Sequence, residues 1–134
     1  MLGVVDAAQA IADLTEISPQ VQRVVVIAAD GSVTGSNLSD ASAAKRLAAG
    51  AKRLVDEART LREDVAQLEV ATLAGSVFVV RDGERMIAAT TTPEPTVGLV
   101  FYDLKTCLRS VEEPKKPAPR KRAPAKKAAD DAAS

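Results

Sequence analysis

The hydrophobic pattern along the chain changes period several times, and each change marks an element. Over residues 2–16, Val4, Ala8, Ile11 and Ala12 recur at helical spacing, with Asp6, Asp13 and Glu16 off that face. This predicts an amphipathic helix. Ser18-Pro19 is expected to end it, because the residue before a proline is pushed out of the α region. "VQRVVVIAA" then reads as a buried strand, Asp30-Gly31 as a tight-hairpin pair, and "SVTGSNL" as the returning strand. Ser39 or Asp40 offers an N-cap to a second helix that runs to about Arg62.

Three further strands follow that helix. "VAQLEVATL" alternates Leu68, Val70 and Thr72 with Gln67, Glu69 and Ala71, so one face is more polar. Ala74-Gly75 turns into "SVFVVR", and a second Asp-Gly pair, Asp82-Gly83, turns into "RMIAATT". In the last piece, "VGLVFY" has strand composition. Yet Val97, Val100, Phe101, Leu104, Leu108 and Val111 fall at helical spacing, and Pro93 and Pro95 begin helices more readily than they continue strands. A helix is predicted there. The order α-β-β-α-β-β-β-α gives an α+β fold, a five-stranded antiparallel sheet flanked by helices.

The second helix carries an internal repeat. "AKRLAAGAKRL", Ala44 to Leu54, contains AKRL twice, seven residues apart, which copies one helical face onto itself. Leu47, Ala51, Leu54, Ala58 and Leu61 form one stripe, with Ala44 and Val55 on its shoulder and Ala48 just beyond. Lys45, Lys52 and Arg59 make one row on the far side, and Arg46 and Arg53 another. An ordinary amphipathic helix over a sheet accounts for part of this. A coiled coil is disfavoured by an alanine–glycine middle. Nucleic-acid binding by this helix is disfavoured by the interrupting Asp56, Glu57, Glu63 and Asp64. A close-packed subunit contact uses the small shoulder residues Ala44, Ala48, Ala51 and Val55. In that reading the leucines turn down onto the sheet, the alanines sideways to a partner helix, and the Lys/Arg rows outward.

Composition narrows the chemistry. The chain has 134 residues, a single domain's length, with two Phe, one Tyr and no Trp, so its core rests on aliphatic residues. It has no histidine and one cysteine, Cys107, which excludes a disulfide framework within one chain and the usual zinc sites and triads. Neither a G-x-x-x-x-G-K-[ST] loop nor G-x-G-x-x-G occurs. Cys107 reads as a packing residue, and Asp56-Glu57 and Glu63-Asp64 as solvated helix carboxylates. Asn37-Leu38-Ser39 fits a glycosylation sequon by chance. The expectation is a non-enzyme without cofactor or metal. With apolar runs too short to span a bilayer and no basic flank before the first acidic residues, a cytoplasmic location is expected.

The net charge of zero conceals an asymmetry. Residues 112–134 hold seven basic and four acidic side chains, and residues 1–111 hold the reverse imbalance. The segment "EEPKKPAPRKRAPAKKAADDAAS" has no large apolar residue, so we read a domain over 1–111 and a disordered tail over 112–134. Its cations (Lys115, Lys116, Arg120, Lys121, Arg122, Lys126 and Lys127) suit weak, non-specific nucleic-acid contacts. A solubilising tail or an anchor to an acidic membrane or protein surface fits the same residues.

Four stretches in this order, "VVVIAADGSVTGSN", "AAKRLAAGAKRLVDEA", "GSVFVVRDGERMIAATT" and "TTPEPTVGLVFYDLKTCL", resemble the roadblock/LC7 family over about residues 2–111. The tail lies outside that pattern. The resemblance implies a roadblock/profilin-like α/β sandwich that forms a homodimer, or a heterodimer with a paralogue. In it the central helices lie side by side, and Leu68, Val70 and Thr72 belong to the strand that extends the sheet into the partner. It further implies a scaffold or regulator that docks a small Ras-like GTPase or related signalling protein, without cofactors. Lys45, Arg46, Lys52 and Arg53 are then the contact candidates. The Ala, Val and Arg usage fits a GC-rich bacterial genome.

Overall fold

The computed structural model describes residues 5–111. They form α1 (Ala7–Ile17), β1 (Val21–Ile27), β2 (Val33–Ser36), α2 (Ala41–Arg59), β3 (Gln67–Thr72), β4 (Gly75–Asp82), β5 (Arg85–Thr91) and α3 (Val97–Ser110). The element order matches the sequence reading. The strands lie in the order β2-β1-β5-β4-β3, all neighbours antiparallel.

The sheet is covered on both faces, which is why β1 carries an unbroken apolar run, Val24 to Ile27, rather than a strict alternation. Because successive side chains point to opposite faces, the core divides in two. Val24, Val26, Phe78, Val80, Ile87 and Ala89 pack with α1 and α3. Val25, Ile27, Val79, Met86 and Ala88 pack with α2. Phe78 and Phe101 meet edge to face, with ring centroids 4.9 Å apart.

Helix α1 starts later than expected, capped by Asp6, whose carboxylate accepts from Gln9 N at 2.8 Å; residues 1–4 lie outside the described region. Its buried face is Ala7, Ala10, Ile11 and Leu14, while Ala8 and Ala12 are exposed, which corrects the predicted face. Ile11 and Leu14 are the large side chains of that face, and both are buried in the core beneath the helix. The helix also lies so close to β2 that a Cβ at Gly35 would run into Ala7.

Helix α2 ends at Arg59 rather than Arg62. Thr60 caps it, its hydroxyl donating to Glu57 O at 2.6 Å, so Glu63 and Asp64 lie in the following turn and not on the helix. The ambiguous last segment is helical, as its spacing predicts. Glu94, between two prolines, has φ of 55° and turns the chain into α3. Thr96 N then donates to Gln20 Oε1 at 2.6 Å, fastening the start of α3 beside the end of α1. At the other end Val5 N donates to Ser110 O at 2.9 Å, in a one-residue parallel bridge between Val5 and Val111. Helices α1 and α3 therefore lie side by side and antiparallel. Among the described residues no helix is long and apolar enough to cross a membrane.

Candidate partner-docking surface

Helix α2 spans 19 residues, about 28 Å. Ala44, Ala48, Ala51 and Val55 are 1–5% exposed and lie against the sheet. Leu47 and Leu54 are half-buried on the helix shoulder, and Leu61, past the helix end, is 83% exposed. The predicted arrangement is thus reversed: alanines go down and leucines go sideways. The sheet face beneath is built from Val25, Ile27, Val79, Met86 and Ala88. Small helix residues let the backbone settle close over these side chains, whereas leucines there would hold the helix away. Ala44, Ala48, Ala51 and Val55 are consumed by the chain's own core. The side-facing apolar residues are Leu47 and Leu54, and their seven-residue spacing was the sequence signal for them.

The basic rows are exposed as expected. Lys52 Nζ pairs with Asp56 Oδ2 at 3.1 Å across one helical turn, and Arg46 Nη1 donates to Ser42 Oγ at 3.0 Å. Lys45 and Arg53 are exposed and make no such contact among the described residues. Both tethers on the other two are exposed single contacts, of the kind worth well under 1 kcal/mol.

Strand β3 is a sheet edge, paired with β4 alone. Leu68 stands opposite Val79 and Val70 opposite Val77, so Leu68, Val70 and Thr72 share the α2 face. That part of the face is incompletely covered, because α2 rests over β1, β2 and β5. Leu68 and Val77 are half-buried, Val70 is 40% exposed, and Leu73 in the following turn is fully exposed. Leu47 and Leu54 on the helix and Leu68 and Val77 on the strands all pack, half-buried, against the same buried cluster, and together they form its aliphatic rim. Val77 was not singled out in the sequence, since its strand reads as uniformly buried. On the opposite face Gln67 is exposed, and Glu69 is half-buried and accepts from Ser76 Oγ at 2.8 Å.

Cys107 is 5% exposed, and burial, with a smaller contribution from nearby Asp13, pushes its thiol up to about 12; it is protonated and shielded at neutral pH. The described residues hold no group of three or more His, Cys, Asp and Glu side chains placed to bind a metal. Lys115, Lys116, Arg120, Lys121, Arg122, Lys126 and Lys127 lie outside the described residues.

Solved structures supply the comparison. A Roadblock/LC7 domain from Streptomyces avermitilis superposes with a TM-score of 0.72 at 21% identity, over 79% of this chain and 94% of that one. The chain has the Roadblock/LC7 fold. A second S. avermitilis Roadblock/LC7 structure gives 0.60 at 23% identity over 77% and 95%. Myxococcus xanthus MglB gives 0.61 at 16% identity over 78% of this chain and 89% of its own. No protein-family model and no curated protein matches the sequence.

Within this Roadblock/LC7 fold the two sheet edges differ. Strand β2 has four residues and leaves the first half of β1 uncovered. There the Asn37 side chain takes the place of a strand: Oδ1 accepts from Val24 N and Nδ2 donates to Gln22 O, each at 2.8 Å. Strand β3 has six residues, no proline and no lysine, and no such cover among the described residues, which leaves it open to pairing.

Proposed function

We propose that the protein is a non-catalytic dimeric adaptor or regulator of a small Ras-like GTPase or a related signalling protein. The observation that carries this reading is the open β3 edge beside an aliphatic rim, on the same side of the sheet as the exposed Lys/Arg rows of α2. A second copy pairing through β3 covers Leu68, Val70 and Val77 and brings the leucine shoulders of two α2 helices together. The partner then meets a platform edged by Lys45, Arg46, Lys52 and Arg53 from both copies. The fold shared with the MglB structures supports the choice of partner class.

Sedimentation equilibrium of the full chain tests the first step. We expect twice the 14.0 kDa of one chain, and a Leu54→Glu/Val70→Glu variant that remains folded but sediments as one. A wild-type monomer at tens of micromolar would overturn the reading. Lys45→Glu/Arg53→Glu should keep the dimer and lose capture of the GTPase. The tail's affinity for nucleic acid is a reading of charge alone and adds nothing to this surface.

A further inference from the structure

The two Asp-Gly pairs, Asp30-Gly31 and Asp82-Gly83, each close a hairpin. Such a link is open to succinimide chemistry, because glycine has no side chain to hinder its own amide nitrogen from attacking the preceding carboxyl carbon. A Cβ placed at either glycine would meet nothing within 4 Å, so crowding does not separate the two sites. Hydrogen bonding does. At the first, Gly31 N donates to Ala28 O at 2.9 Å, and the Asp30 carboxylate accepts from Ser32 N at 2.9 Å and Ser32 Oγ at 2.7 Å. Both reacting groups are thus held in a local turn. The Ser32 hydroxyl, and after it the Ser32 amide, also keep the Asp30 carboxyl below its ordinary value, and the ionised form gives up an oxygen least readily. At the second, Gly83 takes the first central position of a two-residue loop, with φ of 67°. Its N–H makes no hydrogen bond among the described residues. The Asp82 carboxylate accepts none there either: Arg85 Nη2 stands 4.0 Å away, and the Asp82 side chain is 52% exposed.

We propose that Asp82-Gly83 is a site of spontaneous covalent modification, at which aspartate converts through a succinimide to isoaspartate, while Asp30-Gly31 is protected. Gly83 N bonds to Asp82 Cγ, and the hydroxyl of the protonated carboxyl leaves as water with the amide proton. Water then adds to one of the two carbonyls of the cyclic imide. Opening on one side restores aspartate; opening on the other leaves the main chain running through Cβ and Cγ, with the mass unchanged. Water is the sole co-reactant. The change reaches beyond the turn through Arg81, whose Nη2 donates to Gly83 O at 3.4 Å and Nη1 to Val65 O at 2.7 Å. Arg81 N also donates to Ala66 O at 2.8 Å. An extra backbone atom at position 82 displaces Gly83 O and the Asp82–Arg85 pairing, and so slackens the residues that lead into β3. The modification stands apart from the adaptor reading, and only its effect on pairing through β3 rests on that reading.

Ageing the full chain at neutral pH for several weeks, folded or in concentrated urea, tests it. Isoaspartate is scored by methylation with a protein-isoaspartyl methyltransferase and placed by peptide mapping. In the folded chain it should accumulate severalfold faster at position 82 than at position 30. In urea, where the hydrogen bonds are gone, the two rates should converge. Ser32→Ala should raise the rate at position 30 severalfold and leave position 82 unchanged, whereas Asp82→Glu, whose longer side chain closes the imide poorly, should remove the signal at 82. In the separated isoaspartyl form the Arg81 amide should exchange severalfold faster than in the unaged chain. Equal rates at the two sites in the folded chain, or no isoaspartate at 82, would overturn the proposal. Unchanged exchange at Arg81 would overturn the link to β3. None of these readings needs a partner or a dimer.

Discussion

Two side chains, one buried and one exposed, make residue-scale predictions of opposite kinds. Cys107 has its folded-state thiol raised from 9.0 to about 12, so the folded form holds its proton where the unfolded form has lost it. The associated stability is complete below pH 9 and is lost as pH rises from 9 towards 12. Reaction with a thiol reagent at pH 8 should therefore track unfolding, showing no native burst and accelerating with urea. Asn37 acts on the backbone. Asn37→Ala leaves Val24 N and Gln22 O without partners and should cost about 1–2 kcal/mol, read from the urea midpoint. Asn37→Asp, which keeps only the acceptor, should fall between. The sequence showed Asn37 only as part of a chance sequon, because its partners lie 13 and 15 residues away in the chain.

At the scale of elements, the period of the pattern was legible and its depth was not. The Asp-Gly hairpins, the proline-bounded helix starts and the eight-element order follow from local chemistry that acts within a few residues. Which arc of α2 faces the sheet depends on the size of side chains in β1, β4 and β5, far away in sequence. Leucine outweighs alanine on any hydrophobicity scale, yet here close approach decides the packing and alanine occupies the interior. Ala48→Leu distinguishes the two arrangements. With Ala48 against the sheet it should overpack the core and cost about 1–3 kcal/mol, lowering the thermal midpoint of the monomer. A helix with its alanines turned sideways would tolerate it.

At the scale of the whole molecule, three layers share one sheet: α1 and α3, the five strands, and α2. Amide exchange should be slowest in β1, β5 and β4, which are paired on both sides or covered on both faces. It should be fast in the outward amides of β3, whose protection should rise with protein concentration if that edge pairs. The candidate surface was legible in part, as Lys/Arg rows and a strand with one polar face. The aliphatic rim was not, because it is made by what α2 fails to cover. The unlike edges bear on how far assembly can proceed. In the proposed pairing through β3 each copy would give up its long edge, and the ends left over would be the four-residue β2 and the part of β1 whose backbone Asn37 already engages. So short an edge would offer little to a third copy, and pairing would favour a closed dimer over a growing fibre.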